Sequence, residues 1–361
     1  MSPFLKVMQL FLLMTATVLG MLMLLLITPD LEDSILAAMR RYHHSKQSPT
    51  PAPFISTGRS TDAYQGGGGG GMVVELDRRR KEFSPWPNSR DCSRFRVQFA
   101  RQKSLPMTAL VSFPGSGNTW LRYLLETATG VFTGSVYTDR QIISKGFYGE
   151  AVPPDCGCTS VQKTHGFALA GFVPQEKKKS AEVLWFRGRA ILLLRNPYEA
   201  LLSYRNFLYG GHTGFAPNDR FRGPDWERFA LRLAVVWKEL AATWINSTRG
   251  GEAIALHFER LKINPETCLH TVLSFLNIAW DSRRLSCVLS HIDGPFRRPR
   301  SPQSLIFDTR DPFSPRLHLL IDGLIHEVND MLLKRGWEQM PVHLFKFYKG
   351  NQTKLRKSQV Y

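Results

Sequence analysis

Cysteine is scarce in this sequence, with five in 361 residues. A low and odd number excludes a domain built on a framework of disulfides. In an oxidising compartment, Cys268 and Cys287 are the first predicted pair, because one lies on a predicted helix and the other just beyond it. Cys156 and Cys158 could mark a redox or metal site. No second such pair and no histidine cluster accompanies them, which favours ordinary loop cysteines.

Acidic residues are also few. The chain has 30 Asp and Glu against 47 Lys and Arg, a net charge of +17. This excess predicts a polyanionic partner: nucleic acid, an anionic membrane face, an acidic glycan or a phosphate-rich cofactor. A solvated basic surface is the alternative, and charge alone does not choose among these. The length suffices for one sizeable domain with appendages.

A lysine is missing from the segment SFPGSGNTWLRYLL at 112–125. A nucleotide-triphosphate loop carries a lysine directly after its last glycine, and Asn118 occupies that position here. The sequence also lacks an acidic strand end that would bind magnesium. Both absences argue against a nucleotide kinase.

What the segment does contain is the layout of a strand, a phosphate-binding loop and a helix. Gly115 and Gly117 allow close backbone approach, and the amides from Ser116 to Thr119 can point at an anion. Trp120 is large enough to stack on a nucleobase. A plain strand–turn–helix connection is the alternative.

Charge is absent from Val7 to Ile27, a run of 21 residues. As a helix this run spans roughly 31 Å, the thickness of a hydrocarbon core. A cleaved signal peptide is the alternative, but its apolar region is shorter and no small-x-small cleavage site follows. We predict a transmembrane anchor at 7–27, a cytosolic tail at 1–6 and a luminal remainder. The sequons at Asn246 and Asn351 are the predicted glycosylation sites and modestly favour this orientation.

Composition divides the rest of the chain. Residues 28–104 are predicted as a flexible stem, because a Ser-, Pro- and Gly-rich stretch ends in six consecutive glycines at 66–71. From about residue 105 short apolar runs alternate with helical stretches. The globular domain is therefore predicted at 105–340 and a basic tail at 341–361.

The periodicity of that domain predicts its fold class. Strands are predicted at 107–113, 159–163, 190–194 and 253–258, and helices at 118–129, 197–207, 226–245, 265–276 and 314–334. The alternation predicts an α/β fold, a P-loop-like parallel sheet flanked by helices on both faces. Ligands of such sheets lie beyond the carboxyl ends of the strands.

Polar residues follow two further strands at that edge. In VQKTHG, Lys163 and His165 lie two apart and so on one face, which suits a cation beside a proton acceptor. In ILLLRNPYEALLS, Arg195 ends a strand and Ser203 lies on the following helix, a pair able to hold a second phosphate. Taken singly, each is explained by a polar strand end or a helix cap. Together with the first loop they predict a ligand with phosphates at two places.

This constellation resembles the sulfotransferases that use 3′-phosphoadenosine 5′-phosphosulfate (PAPS). Their first loop reads Pro-Lys-Ser-Gly-Thr-Thr-Trp, and residues 114–120 read Pro-Gly-Ser-Gly-Asn-Thr-Trp. Their Lys-Thr-His strand is similar to 163–165, and their Arg-Asn-Pro segment with a serine eight residues on is similar to 195–203. Their Tyr-Glu-Asp-Leu is similar to HFERL at 257–261. The FPGSGNTW segment and GGHTG at 210–214 resemble the WSC-domain-containing (WSCD) sulfotransferases, in particular short invertebrate members lacking the WSC module.

The resemblance implies roles for individual residues. PAPS would be bound by Gly115, Ser116, Gly117, Asn118, Thr119, Trp120, Arg195, Ser203, Arg297 and Arg298. His165 would take the proton of the acceptor hydroxyl, without a metal. The expected acceptor is a glycan, with sialic acid suggested by vertebrate members, and it would meet the loop at 209–226. A single-pass type II protein of the Golgi membrane is expected, with no nucleic-acid partner; the sequence gives no signal of oligomeric state.

One position departs from the family. Gly115 replaces the loop lysine that assists the leaving phosphate oxygens. Sulfuryl transfer relies on electrostatic stabilisation, so this loss costs on the order of a few kcal/mol in the barrier. We hypothesise that Lys163 supplies the charge instead. The alternative is a sulfotransferase-like protein that has lost catalysis and binds a glycan or a nucleotide.

Overall fold

Five parallel strands form a sheet at the centre of the fold. The computed structural model describes residues 71–166, 180–248, 252–298 and 310–350. The strands are β1 (Ala109–Ser112), β2 (Gly134–Ser135), β3 (Gln162–Thr164), β4 (Ala190–Leu194) and β5 (Ala253–His257). They lie in the order β2-β3-β1-β4-β5, and every neighbouring pair is parallel. Their carboxyl ends therefore meet at one edge of the sheet.

Helices alternate with the strands. They are α1 (Asn118–Thr129), α2 (Arg140–Ser144), α3 (Ala181–Trp185), α4 (Pro197–Gly210), α5 (Gly223–Ser247), α6 (Phe258–Ile263), α7 (Pro265–Leu276), α8 (Ser282–Ser290) and α9 (Pro315–Lys334), with 3-10 turns at Tyr148–Ala151, Asn218–Phe221 and Val342–Leu344. Local sequence sets some of their starts. The Asn196 side chain accepts the N–H of Tyr198 and Pro197 opens α4, while Ser314 caps α9.

The sheet is covered on both faces. Every residue of β1 and β4 is buried, as expected for central parallel strands. One core cluster joins Leu110 of β1 and Ile191 of β4 to Leu121 of α1 and Leu269 of α7. Burying each such side chain contributes about 1.5–3 kcal/mol. Elsewhere α5 packs against α9 and buries three indoles, those of Trp226, Trp237 and Trp244.

The predicted α/β fold with a parallel sheet flanked by helices is confirmed. The helices at 118–129 and 265–276 have the predicted bounds, and the predicted strand at 159–163 lies at Gln162–Thr164. Strand β2 escapes prediction because two residues show no periodicity. None of the helices in the described ranges combines the length and apolar character of a membrane span. The predicted tail at 1–6 and anchor at 7–27 lie outside those ranges.

The predicted domain boundaries are wrong at both ends. Residues 71–104 fall in the predicted flexible stem, yet Trp86, Phe95 and Val97 are buried in core clusters. At the other end, the predicted tail 341–361 begins inside the fold, since Phe345 is buried. Apolar burial, rather than regular secondary structure, holds both segments in place. The stem from 28 to 70 lies outside the described residues.

The predicted Cys268–Cys287 disulfide is also wrong. Cys287 of α8 is bonded to Cys92, with their Cα atoms 5.8 Å apart, and Cys268 is a buried free thiol. Cys92 lies in the segment assigned to the stem, so its approach to α8 depends on tertiary packing. Cys156 and Cys158 are bonded to each other.

Candidate active site

A cleft of about 570 Å³ opens at the carboxyl edge of the sheet, where the segments after β1, β3 and β4 meet. All but one of the residues predicted to bind the donor or to act in catalysis line it. They are Gly115, Gly117, Asn118, Thr119, Trp120, Lys163, His165, Arg195, Ser203, Arg297 and Arg298. The exception is Ser116, which is buried behind the loop. The fold thus brings the predicted residues together, and their roles stay predictions.

Two glycines with left-handed backbone shape the loop after β1. Gly115 has φ +81° and Gly117 φ +88°, a region that side-chain-bearing residues rarely adopt. A Cβ on Gly115 would lie 2.6 Å from the oxygen of Ala200 and 2.8 Å from the nitrogen of Tyr204, both backbone atoms of α4. A Cβ on Gly117 would lie 2.5 Å from the Phe258 ring. Helix α4 therefore occupies the space that a lysine at position 115 would need.

Two polar side chains of the loop behave differently. Ser116 Oγ is buried without a hydrogen-bond partner, which is a costly state, and the residue does not line the cleft. The Asn118 side chain instead donates to the oxygen of Leu110 and to Ser112 Oγ, both at 3.1 Å. The Asn118 side chain therefore fastens α1 to β1, while the predicted contact of its backbone N–H with PAPS stays a prediction.

Two aromatic side chains stand beside the loop. Trp120 Nε1 donates to the carbonyl oxygen of Ile292 at 2.7 Å, and its ring meets Phe258 edge-on with centroids 5.6 Å apart. The Arg195 guanidinium lies 4.3 Å from the centroid of the Phe258 ring. Fixed aromatic faces next to a cation can hold a flat group such as a nucleobase.

Arg195 and Arg298 form a second cationic centre with Ser203. Arg195 Nη1 donates to the oxygen of Gly115 at 2.7 Å, and its Nε is buried without a partner. Arg298 Nη1 donates to Ser203 Oγ at 3.1 Å. Burial, and secondly the charge of Arg195, lower the pKa of Arg298 to about 10. Two guanidinium groups that repel each other around a hydroxyl are suited to hold a phosphate.

Lys163 is a buried cation at the cleft. Burial lowers its pKa, partly offset by the carboxylates of Glu150 and Asp139. Glu150 itself forms a fully buried ion pair with Arg122. The Lys163 ammonium lies 5.9 Å from the centroid of the Tyr137 ring. The Lys163 ammonium is therefore held in place at the wall of the cleft.

His165 is presented as a neutral ring. Its Nδ1 lies 2.7 Å from the carbonyl oxygen of Ser112, so we assign the proton to Nδ1 and the acceptor role to Nε2. The ring stacks on Tyr137 with centroids 5.6 Å apart. Burial, and secondly the charge of Lys163, lower the pKa of His165 to about 3. An orientated imidazole with a free nitrogen can accept a hydrogen bond from a hydroxyl.

Sequence reasoning missed further charged residues of the cleft. Among the described residues, the lysines and arginines that line it are Lys163, Arg195, Lys262, Arg297, Arg298 and Lys346, against the two carboxylates of Glu199 and Asp293. Lys262 follows the predicted Phe258 segment by one helical turn, a signal that could have found it. Lys346 comes from the predicted tail, where no motif marks it. Arg297 is exposed and paired with Asp293. The balance favours an anionic ligand.

Two other predictions concern metal and glycan attachment. In the part of the chain that the structure describes, no cluster of three or more His, Cys, Asp or Glu is placed to hold a metal ion. Asn246 is exposed in the last turn of α5, and Asn351 lies outside the described residues. Both glycosylation sites stay predictions.

The chain is similar to known proteins in sequence. No protein-family model matches it. A WSCD family member of Aedes aegypti is 38% identical over 240 residues, which cover 65% of this chain and 69% of that relative. WSCD family members of Drosophila melanogaster and Drosophila pseudoobscura pseudoobscura are each 35% identical over 56% of this chain. The matches span 60% and 61% of the lengths of these two relatives.

Similarity to solved structures is weaker. Mouse sulfotransferase SULT7A1 complexed with PAP is 16% identical, with a TM-score of 0.39, over 62% of this chain and 83% of that one. The sulfotransferase domain from the curacin biosynthetic pathway is 14% identical, with a TM-score of 0.36, over 67% of this chain and 100% of that one. At these TM-scores the likeness carries no argument about this chain.

Proposed function

This chain belongs to the WSCD family, and we propose that it is a sulfotransferase that moves a sulfuryl group from PAPS to a hydroxyl of a glycan, with sialic acid as one acceptor. The observation that carries the proposal is the cleft, where the described residues place six lysines and arginines against two carboxylates. Its anion-binding groups fall into two sets, the glycine loop and the Arg195–Ser203–Arg298 cluster. PAPS has anionic groups at two places, the 5′-phosphosulfate and the 3′-phosphate, and so matches this division.

The residues present fit that donor. Arg195 lines the cleft, and its Nε is a buried polar atom without a hydrogen-bond partner, the kind of atom that an anion satisfies. Gly115 and Gly117 allow the left-handed turn that leads into α1, whose first backbone amides can bind a phosphate. Trp120 and its neighbouring aromatic ring offer faces for adenine.

When bound, PAPS supplies an activated sulfuryl group attached to a phosphate that can leave. In this proposal His165 accepts the hydrogen bond of the acceptor hydroxyl at Nε2, since Nδ1 is committed to the carbonyl of Ser112. Position 115 has no room for a lysine, so the loop itself carries no cation. In this proposal Lys163 supplies the positive charge near the transferring group instead. A base with a pKa of about 3 holds a proton weakly. For the acceptor hydroxyl to lose its proton, either the negative charge of bound PAPS must raise the pKa of His165 or a further group must accept that proton.

We also propose that the protein is a single-pass type II protein of the Golgi membrane, anchored through residues 7–27. The exposure of Asn246 is compatible with a luminal glycan. Treating the full chain from cells with an endoglycosidase should raise its electrophoretic mobility. The Asn246→Gln variant should lose part of that shift; an unchanged shift would remove Asn246 as an attachment site.

Two measurements on the full chain test the activity. Calorimetry with 3′-phosphoadenosine 5′-phosphate (PAP) measures binding to the donor site. Transfer of labelled sulfate from PAPS to glycans with and without sialic acid measures catalysis. Binding with transfer supports the enzyme. Binding without transfer to any glycan would instead identify a nucleotide-binding protein, and stabilisation by ATP with magnesium but not by PAP would favour a kinase.

A further inference from the structure

A histidine–carboxylate pair lies in the cleft beyond the residues assigned so far. His212 lines the cleft, and its Nε2 lies 2.7 Å from Asp139 Oδ2. His212 belongs to the glycine-rich segment 210–214 at the end of α4, and Asp139 to the connection between β2 and α2. Neither residue takes part in the donor contacts proposed above.

Several contacts fix the orientation of this pair. Asp139 Oδ1 accepts two N–H groups from the first turn of α2, which leaves Oδ2 to bind His212. The rings of Phe207 and Phe296 meet the imidazole edge-on, with centroids 5.1 Å and 5.8 Å away. Because Nε2 is engaged by the carboxylate, Nδ1 is the nitrogen left to accept a proton.

The same short segment holds both histidines of the cleft. Tyr137 stacks on His165, and Asp139, two residues further on, binds His212. Both imidazoles line one cleft. A hydroxyl that enters this cleft therefore meets two imidazoles anchored two residues apart in the sequence.

The charges that act on the two rings differ in sign. After burial, the charges that lower the pKa of His165 are those of Lys163 and Arg122, both positive. His212 is in contact with a carboxylate. A carboxylate so placed orients an imidazole and stabilises the imidazolium that forms when the ring takes a proton. Negative charge of a bound donor acts on both rings and does not cancel this difference.

Asp139 is ionised over the whole useful pH range. Burial by itself would raise its pKa, but the hydrogen bond and charge of His212, together with Lys163, lower it to about 2. Other charged groups reach this pair: Arg298 Nη2 donates to the oxygen of Gly211 at 3.3 Å, and Glu150 Oε2 accepts the N–H of Asp139 at 3.2 Å. Phe207 of α4 contacts the imidazole, and Lys145 Nζ lies 4.7 Å from the centroid of the Phe296 ring that also contacts it.

We propose that His212, oriented by Asp139, is a further catalytic residue that takes the proton of the acceptor hydroxyl. The proposal rests on the sulfotransferase function proposed above. The acceptor O–H bond breaks and its proton passes to Nδ1 of His212. An O–S bond forms between the acceptor oxygen and sulfur, while the bond from sulfur to the phosphate oxygen breaks and leaves its electron pair on that oxygen. The hydroxyl has one hydrogen, so in this step His212 Nδ1 replaces His165 Nε2 as its acceptor.

Variants of the full chain separate this role from a structural one. His212→Gln should lower kcat about 100-fold, the scale of a lost general base, with PAP affinity within twofold of wild type. Asp139→Asn can still cap α2 but carries no charge, so we expect a smaller loss of kcat. The control is His343→Gln, an exposed histidine outside the cleft, which should match wild type.

Chemical rescue distinguishes proton transfer from positioning. Added imidazole should restore part of the rate of His212→Ala and have no effect on His343→Gln. A kcat of His212→Gln within threefold of an active wild type would overturn the proposal alone. So would a loss of kcat with no rescue by imidazole, since it assigns His212 to holding its loop. No sulfate transfer by wild type would overturn the proposed function, and this inference with it.

Discussion

Substitution of Gly115 tests whether α4 leaves no room for the lysine that the family has at this position. Alanine there meets two costs. The φ of +81° is a left-handed conformation that costs an L-residue roughly 1–2 kcal/mol. The Cβ would also lie 2.6 Å and 2.8 Å from backbone atoms of Ala200 and Tyr204, so the helix must shift, at about 1–3 kcal/mol. We expect Gly115→Ala to lower the free energy of unfolding by about 2–5 kcal/mol.

Gly336 provides the matched control. It follows α9 with φ +73°, and nothing lies within 4 Å of the Cβ it would gain. Gly336→Ala therefore meets the conformational cost alone, roughly 1–2 kcal/mol. Urea denaturation of both variants, monitored by tryptophan fluorescence, gives the two free energies of unfolding. Their difference measures the clash with α4.

Gly115→Lys has the same backbone problem with a longer side chain. We expect it to bind PAP more weakly than wild type and to turn over more slowly, although it recreates the family's motif. The reasoning is refuted if Gly115→Ala is as stable as Gly336→Ala. It is also refuted if Gly115→Lys binds PAP as wild type does and transfers sulfate faster.

Three further predictions follow from the cleft and its surroundings. Lys163→Met should lower kcat at least about 10-fold with PAP affinity unchanged. Because burial lowers the pKa of Lys163, wild-type turnover should also fall as rising pH removes that charge. Equal turnover of the variant and wild type would exclude Lys163 as the source of charge for sulfuryl transfer. In calorimetry, Arg298→Ala should weaken PAP binding about 10-fold or more, and Ser203→Ala should weaken it less. Both variants should bind adenosine 5′-phosphosulfate, which lacks the 3′-phosphate, as wild type does. Equal weakening for both ligands would contradict the assignment of these residues to the 3′-phosphate. Without reductant, Cys92→Ala should lower the free energy of unfolding by about 2–5 kcal/mol, because the Cys92–Cys287 bond spans 195 residues. With reductant, wild type should lose the same stability, and a difference between variant and wild type that persists would contradict the prediction.

Elements with their own periodicity could be predicted from the sequence. AILLL reads as a buried strand because β4 is covered on both faces, and it lies at Ala190–Leu194 as predicted. Pro265 opens α7 at its first turn and fixes that boundary. The meeting of Gly115, Lys163 and Arg195 was predictable too, because parallel strands place their carboxyl ends at one edge.

Segments held only by tertiary packing could not be predicted. Residues 71–104 contain isolated bridges such as Phe83 with Val97, and single-residue pairs leave no pattern in a sequence. The Cys92–Cys287 bond joins such a segment to α8, so spacing pointed to the nearer Cys268. Lys346 reaches the cleft because Asn196 Nδ2 donates to its carbonyl oxygen at 3.0 Å, a contact across 150 positions.

The glycine at 115 illustrates why the loss of a motif residue need not mean the loss of a charge. In the sequence, no lysine or arginine lies between Lys103 and Arg122. In the structure, Arg195 Nη1 donates to the oxygen of Gly115, so a guanidinium from β4 touches the loop where the family has its lysine. Close packing of α4 excludes a side chain at position 115. Arg195 matches an arginine that the family has beside its loop lysine, so Lys163 is the cation that we propose in place of the missing charge.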